Sequence, residues 1–106
     1  MGTQLTLKAS DGVSIGAYRA DPTGKARGAL IVCQEIFGVN QHIRSVCDRY
    51  AAAGYVALAP AFFDRAEPDV QLGYTPDDIA RGRSIMQKLN LDNAILDVKA
   101  AVALLA

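Results

Sequence analysis

Reactive side chains are scarce in this chain. It has one histidine, His42, and two cysteines, Cys33 and Cys47. A lone histidine with no partner at ligand spacing excludes a histidine-rich metal centre. The cysteines have neither a zinc spacing nor the Cys-x-x-Cys of a redox pair. Both sit in apolar patterns, which predicts two buried free thiols in a reducing, cytoplasmic compartment. Net charge is also lacking, since eleven basic residues balance eleven acidic ones. Without a basic patch or a run of like charge, neither nucleic acid nor a membrane is expected as a partner. The N-terminus has no signal-peptide pattern. The longest apolar stretch, around Tyr55 to Phe63, is too short to span a bilayer and contains Pro60. No Gly-rich phosphate loop follows a strand pattern, which disfavours a nucleotide-binding unit. No metal and no cofactor is expected.

What the sequence does contain is an α/β pattern within 106 residues, enough for one compact domain. Thr3 to Ala9 alternates, with Leu5 and Leu7 on one face, and Val13, Ile15 and Ala17 alternate again after Ser10-Asp11-Gly12. Two alternating runs around an Asp-Gly pair predict an antiparallel hairpin. Ala29 to Cys33 is apolar without alternation, as in a parallel strand covered on both faces. Asn40 is a good N-cap for a helix carrying Ile43, Val46, Cys47 and Tyr50 on one stripe, with Gly54 closing it. Tyr55 to Ala59, ended by Pro60, completes a strand–helix–strand unit.

After a loop from Phe62 to Gly73, Thr75-Pro76-Asp77-Asp78 starts a second helix. Its apolar side is assigned to Ile79, Met86 and Leu89, and Gly82 weakens its middle. Asp92 is a candidate cap for a last helix with Leu91, Ile95, Val98, Val102 and Leu105 on its stripe. That helix has no stop signal, and in an alternating α/β chain another strand should follow. The expected architecture is a hairpin, one βαβ unit and two further helices, with an unfinished sheet.

Gly12-Val13-Ser14-Ile15-Gly16 matches Gly-x-Ser-x-Gly literally. A nucleophilic serine needs a tight strand-to-helix turn, and here the motif lies in an alternating strand after a hairpin turn, so it is a decoy. His42, in the first turn of a helix, reads as a surface histidine rather than a base. Arg81 and Arg83 have the chemistry to bind an anionic substrate. With Asp77 and Asp78 one turn away they read first as a solvated face. Phe62, Phe63 and Tyr74 could line a pocket or simply pack their loop. Asp97 suggests no chemistry.

Glu35 differs from these. It follows a strongly apolar strand at its carboxyl end, where ligands bind in open α/β sheets. A walled-in carboxylate there is either an ion pair that pins the strand end or a site group. The next peptide, Ile36, can offer its N–H to a developing oxyanion.

Gln34-Glu35-Ile36-Phe37-Gly38-Val39-Asn40, followed by Arg44, resembles the signature segment of the dienelactone hydrolases, an α/β-hydrolase family. Ala53-Gly54-Tyr55 leading to Ala59-Pro60 and Phe63-Asp64-Arg65 is similar to the family's next strand and loop. Leu96-Asp97-Val98-Lys99-Ala100-Ala101 is similar to the helix before its nucleophile strand. The resemblance implies hydrolysis of a lactone or carboxylic ester by a Cys-His-Asp triad. By it, Glu35 corresponds to the glutamate that modulates the nucleophilic thiol, and the Ile36 amide to one oxyanion donor. It also implies an arginine for a substrate carboxylate on the helix near Arg81, in a register open by about a residue or two. Phe37 and Arg81 are the candidate substrate contacts.

The family's Gly-x-Cys-x-Gly elbow, and its later aspartate and histidine, have no counterpart among these residues. The expectation is therefore a single partial α/β-hydrolase domain over 1–106, the N-terminal half of the fold, inactive alone. Its substrate would be a small ester or lactone. The strand edge near Cys33 would be exposed and open to self-association. The alternative is a non-catalytic binding or self-assembly module complete at this length.

Overall fold

The computed structural model describes residues 2–105, so Met1 and Ala106, the ends of the expected domain, lie outside the described residues. Strands β1 (Thr3–Lys8) and β2 (Ser14–Ala20) form the antiparallel hairpin. Strand β3 (Gly28–Ile31), helix α1 (Gln41–Ala52) and strand β4 (Tyr55–Pro60) form the βαβ unit. A 3-10 turn (Phe62–Arg65) leads to helices α2 (Pro76–Met86) and α3 (Leu91–Leu105). The sheet order is β1-β2-β4-β3. β4 pairs antiparallel with β2 and parallel with β3, and β3 has no partner on its other side among the described residues.

Alternation along the central strands sends side chains to two faces. Tyr18, Ala20, Ala57 and Ala59 pack with Ile43, Cys47 and Ala51 of α1. Ile15, Ala17 and Leu58 pack on the other face, with Ala101 of α3 and Leu7 of β1. This is the helix–sheet–helix layering of an α/β fold. A third cluster, Phe63, Val70, Leu72 and Ile85, closes the loop and α2 over the carboxyl ends of β3 and β4.

Several boundaries differ from the sequence expectations. β4 runs through Pro60, which pairs with Ala17 as the last residue of its strand, where its missing N–H costs little. The buried residues of α2 are Gly82 and Ile85, and Met86 is exposed, one position round from the expected stripe. α3 is capped by Asn90, whose Oδ1 accepts from the Asn93 N–H, and Asp92 lies inside the first turn.

The largest correction also concerns α3. Its expected stripe faces the sheet only in part: Leu105 packs against the sheet cluster and Val98 is half-buried, but Leu91, Ile95 and Val102 are exposed, and the buried residues are Asp97 and Ala101. Arg65 explains the rotation. Its guanidinium meets Asp97 through Nη2 at 2.8 Å and Nε at 3.0 Å, and reaches Asp11 in the β1–β2 turn through Nη1 at 2.8 Å. Asp97 is fully buried and the Arg65 side chain only 8% exposed. Small residues at Ala100 and Ala101 then let α3 approach the sheet. Donating hydrogen bonds to Asp97 and Asp11 holds Arg65 charged more firmly than usual, and accepting from Arg65 lowers the Asp11 carboxyl from its ordinary 3.8.

A buried cation that loses its partner costs more than the pair contributed. Asp97→Ala should therefore lower the unfolding free energy in urea by about 3–5 kcal/mol. Replacing both partners (Arg65→Met with Asp97→Leu) should cost much less, because no buried charge is left unpaired and Asp11 is open to solvent. Equal losses in the single and double variants would show that packing, not charge, seats α3.

Candidate active site

The signature segment begins where β3 ends. Gly38, at φ +79°, turns the chain back so that its N–H donates to the Glu35 carbonyl at 3.2 Å. No other residue fits there, since a Cβ on Gly38 would overlap the Val70 carbonyl. The Leu72 N–H donates to the Phe37 carbonyl at 2.8 Å, which stitches the segment to the loop before α2. Asn40 then does two jobs. Its Oδ1 accepts from the Ile43 N–H and caps α1, and its Nδ2 donates to the Leu72 carbonyl at 3.0 Å. Phe37 packs edge-on against Tyr74 with ring centroids 4.5 Å apart.

Gly82 has a role that its reading as a weak point in a helix missed. It is buried, and a Cβ there would overlap the Ile36 carbonyl oxygen. The glycine lets α2 lie directly on the Ile36 carbonyl, and the peptide that carries the Ile36 N–H is held through the Glu35 carbonyl, which accepts from the Gly38 N–H at 3.2 Å and from Gln34 Nε2 at 3.0 Å. The Ile36 N–H donates to no acceptor among the described residues. A glycine inside a helix pattern is the one sequence signal for such a close approach.

Glu35, Ile36 and Gln34 line a pocket of about 460 Å³ at the carboxyl ends of β3 and β4. Its other walls are Phe62 and Phe63 from the 3-10 turn, Met86 and Leu89 from the end of α2, and Leu91 and Ala94 from α3. Sequence reasoning singled out Glu35 and Ile36 and left Phe62, Phe63 and Tyr74 between pocket lining and loop packing; the structure brings Phe62 and Phe63 to the pocket with Glu35 and Ile36 and packs Tyr74 on Phe37 instead. It missed Met86, Leu89 and Leu91, because they had been assigned to buried helix stripes.

Other expected residues stand apart. Glu35 is exposed rather than walled in, because no strand lies beyond β3 among the described residues to cover it. Cys33 is exposed for the same reason, which corrects the expectation of two buried thiols. Arg81 is ion-paired with Glu67 on the surface and does not line the pocket, and Arg83 is also exposed. Phe37 packs with Tyr74 and is not among the residues lining the pocket. His42 lies exposed on α1, and Ser14 opens β2 in an ordinary strand, far from a nucleophile turn. Among the described residues no three His, Cys, Asp or Glu side chains cluster as metal ligands, and no helix is long and apolar enough to cross a membrane.

Comparison with known proteins assigns the family. The profile described as the dienelactone hydrolase family matches residues 15–106. This chain belongs to the dienelactone hydrolase family. Two relatives carry the name "Putative carboxymethylenebutenolidase". The protein from Synechocystis sp. is 39% identical over 95% of this chain, and that from Azospirillum brasilense is 40% identical over 85%. The chain spans only 42% and 40% of their lengths. The crystal structure of a "putative dienelactone hydrolase" from Klebsiella pneumoniae superposes with a TM-score of 0.73 at 28% identity. That match covers 97% of this chain and 43% of the other. The fold is accordingly the N-terminal part of a dienelactone hydrolase-type α/β-hydrolase.

The thiols separate the structure from the sequence expectation in a directly measurable way. Burial, assisted by the neighbouring Asp48 charge, pushes the Cys47 thiol up to about 11, so it stays protonated and unreactive near neutrality. Ellman's reagent on the native chain should label Cys33 rapidly and Cys47 only after denaturation. Fast labelling of both would contradict the packing of Cys47 against β4.

Proposed function

We propose that this chain supplies the first half of an ester- or lactone-hydrolysing site. Glu35 stands beside the position of a nucleophilic thiol and the Ile36 N–H forms one arm of an oxyanion hole. The Cys-His-Asp triad, on this reading, comes from outside these 106 residues. The observation that carries it is the Ile36 amide. Its peptide is held by the Gly38 N–H and Gln34 Nε2, which both donate to the Glu35 carbonyl, and its N–H, without an acceptor among the described residues, lies on a pocket wall next to a carboxylate. Donors fixed before the reaction need no reorganisation when charge develops, which is why such amides lower barriers in acyl transfer. Family membership supports the reaction class, and no metal or cofactor enters it. A cytoplasmic setting is consistent with this chemistry.

The 106-residue chain should not turn over an activated aryl ester above background. If the reading frame continues past Ala106 into a Gly-x-Cys-x-Gly elbow with later aspartate and histidine, the extended protein should hydrolyse that ester. Glu35→Ala in it should then lower kcat/KM by about tenfold to a hundredfold. Turnover by the short chain itself, or indifference of the extended protein to Glu35→Ala, would sink this reading.

The unpaired edge of β3 supports a second reading, a self-assembly module. An open strand edge offers a row of free N–H and C=O groups to another chain. The exposed Cys33 lies just past that edge. Light scattering at high concentration decides it: a dimer lost when Ala29→Pro removes an N–H from the open edge supports pairing, and a clean monomer overturns it.

A further inference from the structure

Beyond the end of β3 the Glu35 carbonyl takes its hydrogen bonds from the signature segment itself. The strand's bonding to β4 continues as far as the Val32 N–H, which donates to the Leu58 carbonyl at 2.8 Å. After that the chain turns, and two donors meet on the Glu35 oxygen. The Gly38 N–H reaches it at 3.2 Å across the turn, and Gln34 Nε2 reaches it at 3.0 Å from the preceding side chain. A carbonyl oxygen only accepts, so the Gln34 amide must present its nitrogen there. The Gly38 donor is backbone and comes with the turn. The Gln34 donor is a side chain, and only the choice of residue supplies it.

The Glu35 carbonyl and the Ile36 N–H are two ends of one delocalised peptide group. A hydrogen bond to its oxygen draws electron density away from its nitrogen and makes the N–H a stronger donor. Resting on the hydrolase reading, we propose that Gln34 is a positioning residue that polarises the Ile36 N–H through the Glu35 carbonyl. Its effect grows during the reaction. As a nucleophile adds to an acyl carbon, the acyl oxygen gains negative charge and pulls harder on the Ile36 N–H. The Glu35 oxygen then becomes more negative, and the bond from Gln34 strengthens in step. The bond is therefore worth more in the transition state than with substrate merely bound. That is the condition for raising kcat rather than lowering KM.

The test reads this peptide by NMR in the 106-residue chain, without turnover. Hydroxide-catalysed exchange of an amide hydrogen passes through a peptide anion whose charge sits largely on the carbonyl oxygen. A donor on the Glu35 oxygen therefore speeds exchange at Ile36. Gln34→Met keeps most of the side-chain volume and removes the donor, and Gln34→Ala removes both. In each variant Ile36 exchange near neutral pH should slow by at least about threefold. The Glu35 carbonyl carbon should move to lower chemical shift. The Leu72 N–H, bonded to the Phe37 carbonyl at 2.8 Å, should keep its protection. A purely structural role predicts the opposite sign, because a loosened peptide exchanges as fast or faster. Unchanged or faster Ile36 exchange in either variant overturns the proposal, and so does slowing accompanied by loss of Leu72 protection. Exchange indifferent to Gln34, with ester hydrolysis by the extended protein intact, would remove this proposal alone. Slowed exchange in a chain whose extended form hydrolyses no ester would remove the hydrolase reading and leave the polarised peptide in place.

Discussion

The Arg65 ion pairs tie together three parts of the chain that are remote in sequence. One guanidinium joins Asp11 in the first hairpin turn, the 3-10 turn after β4, and Asp97 in the middle of α3. The apolar clusters by themselves would favour another seating of α3, with its leucine and isoleucine stripe on the sheet. The pair turns most of that stripe toward solvent, where Leu91 is 75% exposed, and leaves Leu105 on the sheet cluster. A fully buried carboxylate is tolerable only because Arg65 satisfies both of its oxygens. The position of Leu91 and Ala94 beside the pocket follows from that rotation, so an ion pair that does not line the pocket shapes the candidate site.

Within the site the controlling groups are backbone rather than side chain. Gly38 and Gly82 each leave out a Cβ that would collide with a carbonyl, at Val70 and at Ile36 respectively. Asn40 adds a side chain that hydrogen-bonds like backbone, capping α1 and holding the loop at Leu72 with one amide. The signature segment is therefore clamped from below by α1, from the side by the loop, and from above by α2. Such a frame holds an amide in place without any help from the substrate. That rigidity is what an oxyanion donor requires.

This distribution explains how much the sequence disclosed. Hairpin, βαβ unit and helix starts were legible because they depend on local signals: the Asp11-Gly12 turn, the Asn40 cap, the Thr75-Pro76 start. The Glu35-Ile36 edge of the site was legible because a strand end followed by a carboxylate is a local pattern too. The face of α3 was not. Helical periodicity ranks residues by hydropathy, and it discounts Asp97 in favour of Ile95 and Val102. Only a cation brought in from Arg65, 32 residues away, inverts that order. Gly82 was misread for a related reason. From sequence it is a loss of helix propensity, and its compensation lies in a contact with Ile36 that no local window contains.

The exposure of Glu35 and Cys33 has one cause, the open side of β3. A parallel strand with a non-alternating apolar sequence is built for neighbours on both edges and both faces. Here β3 has β4 on one edge and no strand on the other among the described residues. Its residues are correspondingly exposed or only half-buried, although Ala29 to Val32 is as apolar as the interior of β4. The same opening leaves Glu35 in solvent, where a carboxylate is stable without a partner. A strand laid along that edge would cover Cys33 and bring its own first loop over Glu35, next to the Ile36 amide. The carboxylate would then be partly desolvated and would need a hydrogen-bond donor or a positive neighbour close by. The character of Glu35 is thus set less by its own residue type than by what pairs with β3. The free edge and the candidate site are one structural problem.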